Sequence, residues 1–244
     1  MSTPRKGTLF TAGRDDNGRR LERIIRKLFP SVPRSAINKA LRKGDVRIAG
    51  RRVKGDHRVA EGDIIEIRAP FASEARRPAE RVSGGGSLRA ARELEILFRD
   101  EHLLAVNKPA GIAVHGADSL TGRVRALLAS AAPDAAPGGE NHAPGSSSLS
   151  FRAGPLHRLD RLTTGVILYG LSLDGSKRFS AALAERRLTK LYLALLGGRL
   201  PEATRWQETL EQEGKSQEAD LSVVPVIYFG NRTLAVCLPH TGRT

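Results

Sequence analysis

Residues 155–170 read PLHRLDRLTTGVILYG. Val166 to Tyr169 is a short apolar run of the kind that forms a buried strand. The charged stretch His157-Arg158-Leu159-Asp160-Arg161 precedes it and reads as a loop. Taken alone, an aspartate between two arginines is most often a structural ion pair. His157 with Asp160 makes half a metal site at best, and no His or Cys cluster with ligand spacing completes it. Downstream, Ser176 to Arg187 has helical character, with Phe179, Ala182 and Leu183 apolar, and Leu191 to Leu196 reads as a strand with Lys190 and Tyr192 at its start. Upstream, Leu94–Phe98 and Leu103–Val106 flank the polar turn Arg99–His102, which predicts a hairpin. Asn107-Lys108-Pro109-Ala110-Gly111 breaks that pattern, and Ile112–Val114 resumes it.

The whole chain has 244 residues, with 40 Lys and Arg against 26 Asp and Glu, a net charge of +14. The excess is uneven. Residues 1–70 hold 18 basic and 8 acidic side chains, a net of +10, whereas the remainder holds 22 and 18, a net of +4. So concentrated a positive charge points to a polyanionic partner bound by the first third. The single cysteine, Cys237, excludes a disulfide scaffold and a thiolate zinc site. No apolar run approaches the roughly 18 residues of a membrane span. The opening MSTPRKG lacks the apolar stretch of a secretory signal, so a cytoplasmic protein that avoids membranes is expected. No G-x-S-x-G elbow, Walker loop or G-x-G-x-x-G is present.

Two soft stretches punctuate the chain. Residues 73–91, SEARRPAERVSGGGSLRAA, have the composition of a flexible linker. Residues 131–150 are rich in Ala, Pro, Gly and Ser and read as a long surface loop. Before the linker, Leu21, Ile24, Ile25 and Leu28 form one apolar helical stripe closed by Pro30 and Pro33. A second helix starts near Ser35 as its N-cap and ends at Gly44, which suits the left-handed position after a helix. Strands follow at Val46–Ile48, Arg52-Val53 and Ile64–Ile67, with a turn at Gly50. The cations Arg34, Lys39, Arg42 and Lys43 line the second helix, and Arg47, Arg51 and Arg52 lie in the turn beyond it. Such side chains hold phosphates without reading bases.

Residues 11–70 resemble the S-four-type RNA-binding domain, with Ala49-Gly50 where that family often has Asn-Gly. In the second part, RDEHLLAVNKPAGIAVHG (99–116), HRLDRLTTG (157–165), KLYLALLGG (190–198) and the terminal TGRT resemble four motifs of the RluA-type pseudouridine synthase family, in that family's order. Thr163-Thr164-Gly165 departs from the usual T-S-G but keeps the hydroxyl. The resemblance implies an α+β protein: a small two-helix-plus-sheet RNA-binding domain (1–72), a linker (73–91), and a mixed, largely antiparallel synthase domain (92–244). It implies an isomerase that converts uridine in RNA to pseudouridine without any cofactor or metal, on 23S large-subunit rRNA; a monomer is expected. The alternatives are a tRNA pseudouridine synthase and a non-catalytic RNA-binding or ribosome-assembly relative.

The same resemblance assigns roles to residues. Asp160 is the essential carboxylate, Arg243 its ion partner, and Tyr192 the ring that packs on the uracil. Arg158 holds RNA with the target base extruded, Lys190 contacts phosphate, and His157 belongs to the RNA-binding set. Arg34, Lys39, Arg42, Lys43 and Arg51 supply the RNA contacts of the first domain. The family's sequence continues beyond T-G-R-T, so a C-terminally truncated member is expected.

Overall fold

The computed structural model describes residues 7–72, 94–130, 148–212 and 215–241. It divides into two compact units, residues 1–180 and 181–244. Among the described residues there are three antiparallel sheets and four α-helices, the α+β class expected from the sequence.

The first sheet belongs to the N-terminal domain. Its strands are β1 (Thr8–Thr11), β2 (Val46–Ile48), β3 (Arg51–Arg52) and β4 (Ile64–Ile67), in the order β1-β4-β2-β3. Helices α1 (Leu21–Leu28) and α2 (Arg34–Lys43) bury Leu21, Ile24, Ile25, Ile37, Ala40 and Leu41 against it. Gly44 ends α2 at φ 77°, ψ 23°, and its N–H returns to the Ala40 and Leu41 carbonyls. The start of α2 differs from the sequence reading. Pro33, not Ser35, is the N-cap, and no side chain caps the helix. Proline's fixed φ pre-sets this turn without a hydroxyl. Strand β1 carries no strong periodic signal in four residues; pairing with β4 and the edge-on packing of Phe10 against Phe29 at 5.9 Å define it.

The second sheet, in the order β5-β6-β8-β7, contains β5 (Ile96–Arg99), β6 (Leu103–Lys108), β7 (Gly154–Pro155) and β8 (Gly165–Gly170). The β5–β6 hairpin turns where the sequence places it, because the Asp100 carboxylate accepts the His102 and Leu103 N–H groups at 2.7 and 2.6 Å. Leu104, Val106, Ile167 and Tyr169 alternate inward and pack against α3 (Leu120–Ser130), which contributes Leu120 and Val124. Residues 112–114 form no strand; Ala113 and Val114 instead accept the first N–H groups of α3. Helix α4 (Leu173–Ala184) starts earlier than its apolar spacing suggests. Gly175 makes that possible, since a Cβ there would lie 2.5 Å from the His102 carbonyl oxygen.

The third sheet lies in the second unit and has the order β10-β11-β12-β9. Its strands are β9 (Tyr192–Gly197), β10 (Thr204–Gln212), β11 (Lys215–Phe229) and β12 (Arg232–Pro239). The linker at 73–91 and residues 131–147 lie outside the described residues. Residues 148–150, which composition places in a surface loop, are buried instead.

Candidate active site

The loop between β7 and β8 carries the HRLD segment, and its neighbours hold it on both sides. On one side, the Leu156 N–H donates to the Leu168 carbonyl at 2.8 Å, and the Leu168 N–H donates to His157 Nε2 at 3.0 Å. The His157 ring stacks on Phe179 of α4, with centroids 5.9 Å apart and 19° between planes. Because Nε2 accepts an N–H, the neutral ring carries its proton on Nδ1. Burial pushes the pKa of His157 below the usual histidine range. The acceptor nitrogen of His157, which the sequence reading placed among the RNA ligands, is thus committed to the fold.

On the other side stands the end of β6. Lys108 is fully buried, and its ammonium donates to the Pro109 and Arg161 carbonyls at 2.9 and 3.0 Å. The Gly111 N–H donates to that same Arg161 carbonyl at 2.9 Å, while Arg161 Nε donates to the Gly111 carbonyl at 2.8 Å. Residues 108–111 and Arg161 are therefore laced together by reciprocal bonds. Desolvation lowers the Lys108 pKa, and the Asp160 carboxylate opposes that shift. Two glycines make the local path possible. Gly111 has φ +85° and Gly165 has φ +130°, both conformations that L side chains rarely adopt.

Between these anchors the loop exposes Arg158 and Asp160 to solvent, while Leu159 turns inward against the core. The Thr163 N–H closes a turn on the Asp160 carbonyl at 3.1 Å. The Asp160 carboxyl thus stands exposed on a loop held at both ends, near enough to the buried Lys108 to act on it electrostatically. An exposed carboxyl on a loop held in this way is placed to meet an incoming group. Among the described residues, no group of three or more His, Cys, Asp or Glu is placed to hold a metal ion.

Tyr192 begins β9 in the second unit, paired in register with Cys237 of β12, and is 38% exposed. Lys190 is half-buried two residues earlier. Arg243 lies outside the described residues. In the N-terminal domain, Arg34, Lys39, Arg42, Lys43 and Arg51 are all exposed, and Arg34 Nε also pairs with Glu22 at 2.8 Å. Sequence reasoning gave Lys108 no role. Its signal is a lysine closing the apolar run Leu103–Val106, which is unusual for a strand end buried in a core.

The family model described as RNA pseudouridylate synthase matches residues 102–244, and that of the S4 domain matches residues 19–65. The chain belongs to the RNA pseudouridylate synthase family, an isomerase family, and carries an N-terminal RNA-binding domain. The ribosomal large subunit pseudouridine synthase C of Escherichia coli (strain K12) is 32% identical over 94% of this chain and 71% of its own length. The protein of the same name from Haemophilus influenzae is 29% identical over 97% of this chain and 72% of its own. Among solved structures, human RNA pseudouridylate synthase domain containing 4 superposes with a TM-score of 0.50 at 22% identity. That match covers 64% of this chain and 63% of the human one, and it supports the fold. No helix among the described residues is long and apolar enough to cross a membrane.

Proposed function

We propose that this protein isomerises uridine to pseudouridine in large-subunit ribosomal RNA, with Asp160 as the essential carboxylate. The substrate follows the names of the relatives, which act on the ribosomal large subunit. The observation that carries the chemistry is the loop held by Lys108, Arg161 and His157, with Asp160 exposed at its tip. In the reaction the N1–C1′ bond breaks, the base turns, and C5 bonds to C1′. The C5 proton is lost and N1 gains one, so the atoms balance without any other reactant.

The target base must leave its stack before Asp160 can reach its glycosidic bond, which costs a few kcal/mol. RNA contacts by the cations of the N-terminal domain offset that cost, and Arg158, next to Asp160, acts on the extruded nucleotide. His157 and Lys108 are positioning residues, since each bonds backbone groups of the loop or its support. Tyr192, Lys190 and Arg243 keep the roles that the family resemblance gives them. The protein acts in the cytoplasm as a monomer.

The test is to incubate the purified chain with transcribed fragments of large-subunit rRNA and map pseudouridine at single-nucleotide resolution. A small set of sites should appear, and Asp160→Asn should remove all of them while RNA binding stays near the original level. Modification of tRNA alone would overturn the substrate, and activity surviving in Asp160→Asn would overturn the assignment of the carboxylate.

A further inference from the structure

Asp16 is fully buried at the end of a short 3-10 turn (Arg14–Asp16) in the N-terminal domain, yet most of its partners lie over 130 residues away in sequence. Its Oδ1 accepts the Ser148 hydroxyl at 2.8 Å, the Ser150 hydroxyl at 2.6 Å and the Ser150 N–H at 3.2 Å. Its Oδ2 accepts the Leu149 N–H at 2.6 Å and the Gly13 N–H at 3.1 Å. The Ser150 hydroxyl in turn accepts Arg19 Nη1 at 2.7 Å, so a cation reaches the carboxylate through one hydroxyl. A buried carboxylate is tolerable only with such a set of donors.

The segment is shaped for this contact. Ser148 Oγ accepts the N–H groups of Ser150 and Phe151 at 3.1 and 2.8 Å, which curls the chain so that both backbone and hydroxyl donors face Asp16. Between the two serines, Leu149 enters the apolar core that α1, α2 and the first sheet build. A further ion pair, Arg14 with Glu101 at 3.7 Å, links the N-terminal domain to the β5–β6 hairpin. Beyond Ser150 the chain runs through Phe151–Ala153 into β7, and from there into the HRLD loop.

We infer that Ser148-Leu149-Ser150 is an intramolecular latch, with Asp16 as its receptor, that fixes the N-terminal domain to the half of the molecule bearing the Asp160 loop. The RNA-binding domain is then a rigid arm. RNA held on its cations reaches Asp160 in one orientation, so the latch selects which uridines of a large folded RNA are presented. An arm on a slack tether would raise the local RNA concentration without such selection. The part of this inference that concerns uridine choice rests on the proposed function; the latch itself does not.

The test uses the full chain and three latch variants: Asp16→Asn, Leu149→Ala, and the pair Ser148→Ala with Ser150→Ala. Ser150→Thr, which keeps the hydroxyl, serves as rescue. Backbone relaxation by NMR should give residues 7–72 and 94–130 one common correlation time in the original protein. In the latch variants the N-terminal domain should tumble faster, with exchange at the Leu149 and Ser150 amides rising about tenfold or more. Unchanged protection of Ile24, Ile25 and Ile65 establishes that the domain itself stays folded. Turnover on a long folded rRNA fragment should fall about tenfold, with little change on a short stem-loop.

Independent tumbling in the original protein, or common tumbling in every variant, would overturn the latch. Free tumbling with unchanged turnover on both RNAs would overturn the arm. If the original protein modifies no RNA, the proposed function fails, while the relaxation and exchange data still decide the latch.

Discussion

The basic face of the N-terminal domain and the HRLD loop are both rich in charge, yet they are built in opposite ways. Lys39, Arg42, Lys43 and Arg51 stand exposed on a helix and a short strand. Around the loop, His157, Lys108 at the end of β6 and Arg161 are bonded to backbone groups, and Arg158 and Asp160 are left exposed. A phosphate backbone offers many equivalent charges, so solvated, mobile cations suffice to hold it. On the proposed function, a reacting atom must meet one carboxylate at one place, and a loop held at both ends suits that need. Losses on the first surface should therefore be small and graded, and losses at the second should be abrupt.

The largest contrast is expected at Asp160. Asp160→Asn should lower kcat by about a thousandfold or more with RNA affinity little changed, as measured by single-turnover pseudouridine formation. Lys108→Met comes next. It leaves the Pro109 and Arg161 carbonyls short of a buried donor, which should cost about 1–3 kcal/mol in denaturant unfolding. It should also lower kcat on the order of tenfold to a hundredfold through misplacement of the loop. A variant that unfolds more readily but turns over normally would mean that Asp160 does not depend on this support.

The His157 prediction concerns pH. Its pKa is lowered by burial, so the unfolded chain, whose histidine titrates near 6.5, takes up the proton first. The stability that His157 contributes is therefore complete above that value. It declines as pH falls below it, until the folded ring is protonated too. Melting curves between about pH 8 and about pH 5 should show this decline, and His157→Gln should flatten it. Equal slopes in both proteins would place the acid sensitivity elsewhere.

On the basic face, Arg42→Ala and Lys43→Ala should each weaken RNA binding only a few-fold. Each should reduce the slope of log affinity against log salt by about 1, read by titration at several salt concentrations. A loss as abrupt as that at Lys108 would erase the contrast between the two regions. The smallest effect belongs to the turn beside that face. Ala49 sits at φ 48° next to Gly50 at φ 76°, a pair of left-handed positions between β2 and β3. Asparagine tolerates that conformation better, so Ala49→Asn should raise stability by about 0.5–1 kcal/mol in thermal unfolding.

Much of this was legible in advance where the signal is local. The stripe Leu21, Ile24, Ile25, Leu28 lies within α1, Gly44 marks the end of α2, and the Val166–Tyr169 run falls inside β8. Strand β1 and helix α3 went unread, since four residues carry almost no periodicity and α3 has only Leu120, Thr121 and Val124 buried. The candidate site was half legible. Asp160 and Arg158 stand out through the motif, whereas Lys108 shows only as a lysine closing an apolar run, and its partners do not show at all, because they are carbonyls and every residue has one.

Composition and pattern by themselves determined the basic first domain, the membership of the second in its family, and the residue at the tip of the loop. These are properties of residue type and spacing along the chain. Only the tertiary structure decided that His157 faces the backbone of Leu168, that Arg161 is laced to Gly111, and that Ser148 to Ser150 close on Asp16. Each of these is a hydrogen bond between groups distant in sequence. Its strength depends on burial and direction, and no residue type encodes either alone.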